Sequence, residues 1–209
     1  MSKLFGGLKM SWPVVILFAV VAGAYTGLVG SAKWLDNTSY RDIAVMVEWW
    51  VVFAVVIATN CKKPLECMLK IFVFFVISQP LVYLVEVALG ATDASMAWMY
   101  YTTIWGPRTL LTLPGGLLAF YIKKENPFGG IVMGMTFATQ MLMGVSYTLM
   151  MVSNPPRHVL SAIFCFASAV VMLVCIQKKP RERVVAMVTA VAIVAGIAAY
   201  LMLSGRVLA

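Results

Sequence analysis

Three charged side chains lie within long apolar stretches of this sequence: Glu48, Glu86 and Arg108. A charged group in bilayer hydrocarbon is costly, so each marks either a functional site or a structural ion pair. At about 1.5 Å of rise per residue, each lies roughly 6–9 Å inside the outer end of its helix. Because consecutive helices usually pack side by side, we expect Arg108 to face both carboxylates. The cluster then either locks three helices together or lines an outward-facing cavity that binds a proton, an ion or a charged solute.

Two buried amides are expected to extend this polar site. Gln79 lies near the centre of one apolar run, and Gln140 belongs to a run whose polar side chains are expected to face the bundle. A transport pathway needs polar groups around water within the membrane. We therefore expect Gln79, Gln140 and Arg108 to approach a common water-accessible space.

Proline and glycine fall inside two of the apolar runs, where they weaken a helix. A proline removes one backbone hydrogen bond and frees a carbonyl, which can then contact a substrate or an ion. The same residues also produce simple kinks, which are frequent in membrane helices. The candidate helix breaks are Pro80, Pro107, Pro114, Gly115 and Gly116.

The sequence contains no established catalytic pattern for work inside a membrane. His-Glu-x-x-His, Gly-x-Ser-x-Gly and paired aspartates are absent, and the single His158 follows Pro155-Pro156-Arg157 in a short outer loop. We expect His158 to be an interfacial residue. The four cysteines match no zinc or haem spacing, so no metal and no cofactor is expected, and an enzyme is the less favoured class.

The composition is that of a protein embedded in a membrane. Hydrophobic residues make up 62% of the 209 residues and charged residues only 11%, and the mean hydropathy is +0.93. These values exclude a soluble enzyme, a secreted disulfide module and a disordered chain. The net charge of +8 comes mainly from residues between apolar runs, which indicates contact with anionic lipid headgroups and no nucleic acid.

Seven apolar runs predict seven transmembrane helices in one all-α domain, residues 1–209. The first run is too long for an ordinary signal peptide, so we expect it to be retained as a span. The predicted spans are 12–30, 42–60, 64–89, 97–122, 128–152, 157–177 and 183–204.

The distribution of positive charge predicts the orientation. The connections assigned to the inner face hold ten lysines and arginines and the outer ones hold four, so the N-terminus is expected in the cytoplasm and the C-terminus outside. The inner set is Lys3, Lys9, Lys62, Lys63, Lys123, Lys124, Lys178, Lys179, Arg181 and Arg183, and the outer set is Lys33, Arg41, Arg157 and Arg206. Near the inner face, Glu66 and Lys70 are four residues apart and are expected to pair and to reach the headgroups.

Small residues recur at four-residue spacing in three of the spans and permit close helix contact. These contacts are either internal or between two copies of the chain. Spans 1 and 7 have no interior charge, so we expect them at the periphery, where a homo-oligomer would form. The pairs are Gly23 with Gly27, Gly130 with Gly134, and Ala192 with Gly196.

Together these patterns favour a bacterial inner-membrane protein that moves or senses a small solute or ion through a polar site among spans 2–5. The first alternative is a non-transporting component, such as an assembly partner or an immunity factor, whose buried charges are structural. The second is an enzyme that acts on lipid at the outer leaflet.

The charge distribution generates a topology prediction. Reporter fusions after Lys63, Lys124 and Lys179 are expected to report the cytoplasm, because lysine-rich connections stay inside. A fusion after Arg206 is expected to report the outside. With the N-terminus in the cytoplasm, seven spans put the C-terminus outside. A cytoplasmic C-terminus would therefore contradict the predicted seven spans.

Overall fold

The computed structural model describes residues 3–153 and 158–203, and the predicted outer charges Arg157 and Arg206 lie outside these ranges. Over the described ranges the regular structure consists of helices alone. The α-helices are α1 (Trp12–Ser31), α2 (Ser39–Val45), α3 (Val47–Asn60), α4 (Pro64–Ala88), α5 (Ala94–Tyr100), α6 (Gly106–Ala119), α7 (Pro127–Ser153), α8 (Val159–Ile176) and α9 (Pro180–Leu203).

Five of these helices, α1, α4, α7, α8 and α9, are long and apolar enough to cross a membrane. The pair α2 and α3 makes a sixth candidate if its two helices, which meet at 47°, count as one span. This supports the expected membrane helix bundle, with five or six such helices in the described part of the chain.

The predicted fourth span, 97–122, is where the structure differs most from the expected count. Helical backbone runs from Ala94 to Lys123, but it is divided into α5, a π-helical turn at Tyr101–Trp105, α6 and a 3-10 turn at Phe120–Lys123. With 14 residues, α6 is about 21 Å long, shorter than the ~30 Å hydrocarbon core of a bilayer.

Glycines bring α1 against α4 at backbone distance. A Cβ atom on Gly23 would lie 2.6 Å from the carbonyl oxygen of Ser78, and one on Gly27 would lie 2.7 Å from that of Val82. Gly130 and Gly134 of α7 pack against α9 in the same way. These contacts are therefore internal, whereas Gly196 on α9 has no atom within 4 Å of an added Cβ.

Aromatic side chains fill the core where α1, α3 and α4 meet. Phe74 is fully buried, and its ring centroid lies 5.8 Å from that of Phe53 and 6.0 Å from that of Trp50. Phe18 of α1 completes the cluster at 4.7 Å from Phe53. Edge-to-face contacts of this kind stabilise the fold beyond the burial of the rings, and they depend on the relative orientation of the rings. They therefore favour one rotation of α3 about its axis.

The three lysine-rich connections expected at the inner face lie together at one end of the bundle. Lys123 Nζ donates a hydrogen bond to the carbonyl oxygen of Cys61, which joins the α6–α7 connection to the α3–α4 connection. Lys179 pairs with Glu125 at 3.0 Å and joins the α8–α9 connection to the same group.

The predicted pair of Glu66 and Lys70 is confirmed, with 2.5 Å between the charged atoms. Glu66 also accepts hydrogen bonds from the backbone N–H groups of Lys62 and Lys63, at 3.0 and 3.3 Å, and so caps the start of α4. The expected reach to the headgroups is wrong for Lys70, which is 3% exposed and donates to the carbonyl oxygen of Met10. The pair thus holds the N-terminal segment against the bundle.

The close contact between α1 and α4 generates a stability prediction. Gly27→Ala is expected to lower the free energy of unfolding by about 1–3 kcal/mol, because the new methyl group has no room beside Val82 and Val85. Gly115→Ala is the matched control and is expected to leave stability unchanged or slightly raised, because an added Cβ there also meets no atom within 4 Å. Thermal unfolding in detergent measures both, and equal behaviour of the two variants would contradict the packing of α1 on α4.

Candidate functional site

A break between α2 and α3 places Glu48 at the start of a helix inside the bundle. The chain is extended at Met46, so Glu48 lies in the first turn of α3. The hydroxyl of Thr26 donates to the carbonyl oxygen of Ala44 at 3.0 Å and satisfies one backbone group near the end of α2. The free N–H groups of a helix N-terminus favour a carboxylate, so the break gives Glu48 a partly compensating environment.

The Glu48 side chain is only 1% exposed and contacts α7. Its Oε1 accepts a hydrogen bond from the Tyr147 hydroxyl at 2.7 Å, and Gln140 Nε2 donates to the Glu48 carbonyl oxygen at 2.9 Å. Glu48 Oε2 and Gln140 Oε1 have no hydrogen-bond partner among the residues that the structure describes. The same residues supply no ion-pair partner for Glu48 within 4.0 Å.

A second group of polar side chains lies next to Tyr147 and is partly exposed. His158 donates from Nδ1 to Asp42 Oδ2 at 2.7 Å, and both side chains are partly exposed. The Ser161 hydroxyl lies 3.4 Å from the same carboxylate oxygen, and the ring of His158 is 5.6 Å from that of Tyr147. We call the resulting series the polar chain; it consists of Asp42, His158, Tyr147, Glu48 and Gln140.

Arg108 does not join this group, and its predicted pairing with Glu48 or Glu86 is wrong. In the described part of the chain no carboxylate lies within 4.0 Å of its guanidinium, which instead stacks over the Trp105 ring at 5.2 Å. The reason is the rotation of α3. Glu48 faces α7, whereas its neighbour Val47 faces the groove that Arg108 lines.

Glu86 lies near a different arginine. An added Cβ on Gly30 would be 2.8 Å from Glu86 Oε1, and Arg41 donates from Nη2 to the Gly30 carbonyl oxygen at 2.9 Å. Arg41 also pairs with Asp36 at 2.6 Å and acts electrostatically on Glu86. Arg41, which the sequence analysis assigned to an outer loop, is therefore a cation that acts on Glu86.

Gln79 is buried in α4, and its Nε2 has no hydrogen-bond partner among the described residues. Gln140 is buried beside Glu48. Neither amide lines the two neighbouring grooves that Arg108 lines. The common space expected from the sequence is therefore not formed by these grooves.

The expected helix breaks fall mostly within continuous helices. α4 continues through Pro80, and α6 continues through Pro114, Gly115 and Gly116, so the helix is not interrupted at either place. Pro107 lies in the first turn of α6, directly after the π-helical turn. The sharp bend instead lies at Met46, where neither proline nor glycine is present.

Sequence reasoning missed the outer part of the polar chain. His158 was expected to be an interfacial residue, and the neighbouring residues 155–157 lie outside the described ranges. The partner of His158, Asp42, is 116 positions away in sequence. Because Asp42 lies just before the unpredicted bend, no periodicity or spacing connects the two side chains.

No known protein family, curated protein or solved structure matches this chain. Over the described residues, no three side chains of His, Cys, Asp or Glu are grouped closely enough to hold a metal ion. The polar chain is therefore the candidate functional site.

The hydrogen bond between Tyr147 and Glu48 generates a prediction of coupling. Tyr147→Phe is expected to lower the free energy of unfolding by about 1–3 kcal/mol, because it removes a donor from a buried carboxylate. In a Glu48→Leu background the same change is expected to cost much less, since that acceptor is already gone.

Chemical unfolding in detergent of the two single variants and the double variant measures this coupling. Tyr200→Phe is the matched control, because Tyr200 is 62% exposed on α9. Additive losses from the Tyr147 and Glu48 changes would show that the two side chains do not interact.

Proposed function

We propose that the protein is a multi-pass protein of a bacterial inner membrane that takes up a proton at Glu48 from the outer face, and so senses or moves protons. One observation carries the proposal. The Glu48 carboxylate is fully buried, has no ion-pair partner among the described residues and accepts a hydrogen bond from Tyr147. The Tyr147 ring lies 5.6 Å from that of His158, which forms a partly exposed pair with Asp42.

The free-energy cost of burying an ionised carboxylate favours a proton on Glu48. An ionised carboxylate inside a membrane protein is costly unless a positive charge accompanies it. A proton supplies that charge without needing a cavity, and Glu48 lines neither of the grooves beside Arg108. Carboxyl, imidazole and phenol groups all exchange protons, so the polar chain offers a proton a route between the surface and Glu48.

The bend at Met46 supplies a means of converting protonation into movement. Glu48 lies two residues after the bend, and the N–H groups at the start of α3 interact more favourably with an ionised carboxylate than with a neutral one. Protonation of Glu48 therefore changes the balance of forces on the α2–α3 junction. Switches of this kind act by biasing an element that has two arrangements.

The proposed topology places the N-terminus in the cytoplasm and the polar chain in the outer half of the membrane. The three lysine-rich connections meet at one end of the bundle, which suits an inner face in contact with anionic headgroups. The bent pair α2–α3 is then one crossing. The helical run from Ala94 to Lys123 is another, and with α1, α4, α7, α8 and α9 the total is seven.

A homo-oligomer is proposed to form through α9. The glycines of α1 and α7 are already used in internal contacts, whereas Ala192 and Gly196 lie on an exposed part of α9. Close contact between helices of two copies requires such small residues.

The test of proton uptake is infrared difference spectroscopy of the reconstituted protein across a change of external pH. The wild type is expected to lose a protonated-carboxyl band as the pH rises, and Glu48→Gln is expected to lack that band. Tyr147→Phe is expected to shift the band, because Tyr147 donates to the same carboxyl group. Glu182→Gln is the matched control, since Glu182 is another buried carboxyl group with an unpartnered oxygen.

Proton flux into liposomes containing a pH-sensitive dye separates movement from sensing. Flux that Glu48→Gln abolishes identifies a carrier, and a titrating band without flux identifies a sensor. A Glu48 band that does not change between acidic and alkaline pH would overturn the proposal and favour a structural membrane component.

A further inference from the structure

A long groove runs along α6 on the side that faces α3 and α4. Its outer part has a volume of about 460 Å³ and its inner part about 300 Å³. The two parts share Ala54, Phe75, Arg108 and Thr112, so they form one continuous groove. The lining residues on α6 run from Arg108 to Ala119, and Trp105 of the preceding π-helical turn lies at the outer end.

The dimensions of the groove suit a single hydrocarbon chain. From Trp105 to Ala119 a helical path covers about 21 Å, and one leaflet of a bilayer has a hydrocarbon depth of about 15 Å. Thr109 and Thr112 offer no free donor to the groove, because their hydroxyls donate to the carbonyl oxygens of Trp105 and Thr109 at 2.8 and 2.6 Å. The remaining walls are mostly apolar.

Arg108 gives this apolar groove one charged position. The side chain is exposed, and its guanidinium lies over Trp105 without a carboxylate partner among the described residues. An arginine at membrane depth requires an anion or water. A guanidinium binds phosphate oxygens with paired hydrogen bonds, so charge complementarity selects an anionic headgroup.

We propose that this groove binds an anionic phospholipid of the surrounding membrane, with the phosphate at Arg108 and one acyl chain along α6 towards Ala119. Gly115 lines the inner part of the groove, and an added Cβ there meets no atom within 4 Å. The absence of a side chain at Gly115 therefore keeps the path of the acyl chain open. The site is separate from the polar chain, since Glu48 faces α7.

The test is native mass spectrometry of the purified full-length protein after titration with phosphatidylglycerol or phosphatidylcholine of the same chain length. The wild type is expected to retain phosphatidylglycerol at least about tenfold more tightly than Arg108→Gln, since a charge-assisted hydrogen bond is lost. Arg108→Lys is expected to retain part of the preference. Lys62→Gln, which removes a charge at the other end of the bundle, is the control for net charge.

A second variant tests the path of the acyl chain. Gly115→Leu is expected to weaken phosphatidylglycerol binding by filling the groove, and the Cβ atom of the new side chain meets no atom of the fold within 4 Å. Ala167→Leu is the control, because Ala167 is exposed on α8, outside the groove. Brominated acyl chains are expected to quench tryptophan emission in the wild type, since Trp50 and Trp105 line the groove, and to quench it less in Gly115→Leu.

Three results would overturn the proposal. The first is equal retention of the two lipids by the wild type, and the second is unchanged phosphatidylglycerol binding in both Arg108→Gln and Gly115→Leu. The third is a dimer that Gly115→Leu dissociates without any lipid preference, which would show that a second copy of the chain occupies the groove.

Discussion

The arrangement of α2, α3 and α7 depends on one constraint, the burial of the Glu48 carboxyl group. A carboxyl group that is 1% exposed needs hydrogen-bond donors and a favourable local field, or its burial would oppose folding. The bend at Met46 provides the field by starting a helix next to Glu48, and Tyr147 provides a donor. The bend and the contact with α7 therefore both meet the same requirement.

The rotation of α3 also determines where Arg108 lies relative to the carboxylates. Aromatic contacts of Trp50 and Phe53 with Phe74 fix α3 against α4. With α3 held in that rotation, Glu48 faces α7 and Val47 and Val51 face α6. One helical step is about 100°, so neighbouring residues serve different sites. A dry carboxyl site and an arginine-lined groove can thus lie on two faces of one short helix.

The sequence predicts those features that depend on local spacing or on total composition. The membrane class follows from the apolar runs, and the Glu66–Lys70 pair follows from a spacing of four residues on one helix face. The lysine-rich connections are each separated by two apolar runs, so the chain returns to the same face of the membrane at each of them. This spacing predicts that they lie at one end of the bundle. Glu48 and Gln140 were also correctly recognised as side chains that do not belong in lipid, and the structure brings them together.

The features that could not be predicted depend on tertiary packing. Depth along a helix placed Glu48, Glu86 and Arg108 at similar levels, but depth says nothing about which way each side chain faces. The bend at Met46 lacks proline and glycine because the break is stabilised by distant groups such as Thr26, whose hydroxyl satisfies the Ala44 carbonyl oxygen. Asp42 and His158 meet only because of that bend.

Glu48 and Arg108, neither of which has an ion-pair partner among the described residues, have opposite relations to their surroundings. Glu48 is enclosed by protein, so its charge is most simply neutralised by a proton, the smallest cation. The Arg108 guanidinium lies at an exposed groove, so an anion or water from outside the chain meets its charge. Burial of the carboxyl group therefore favours the proposed proton uptake, and exposure of the guanidinium favours the proposed lipid binding. Because α3 contacts both sites, a change in its position alters the environment of each.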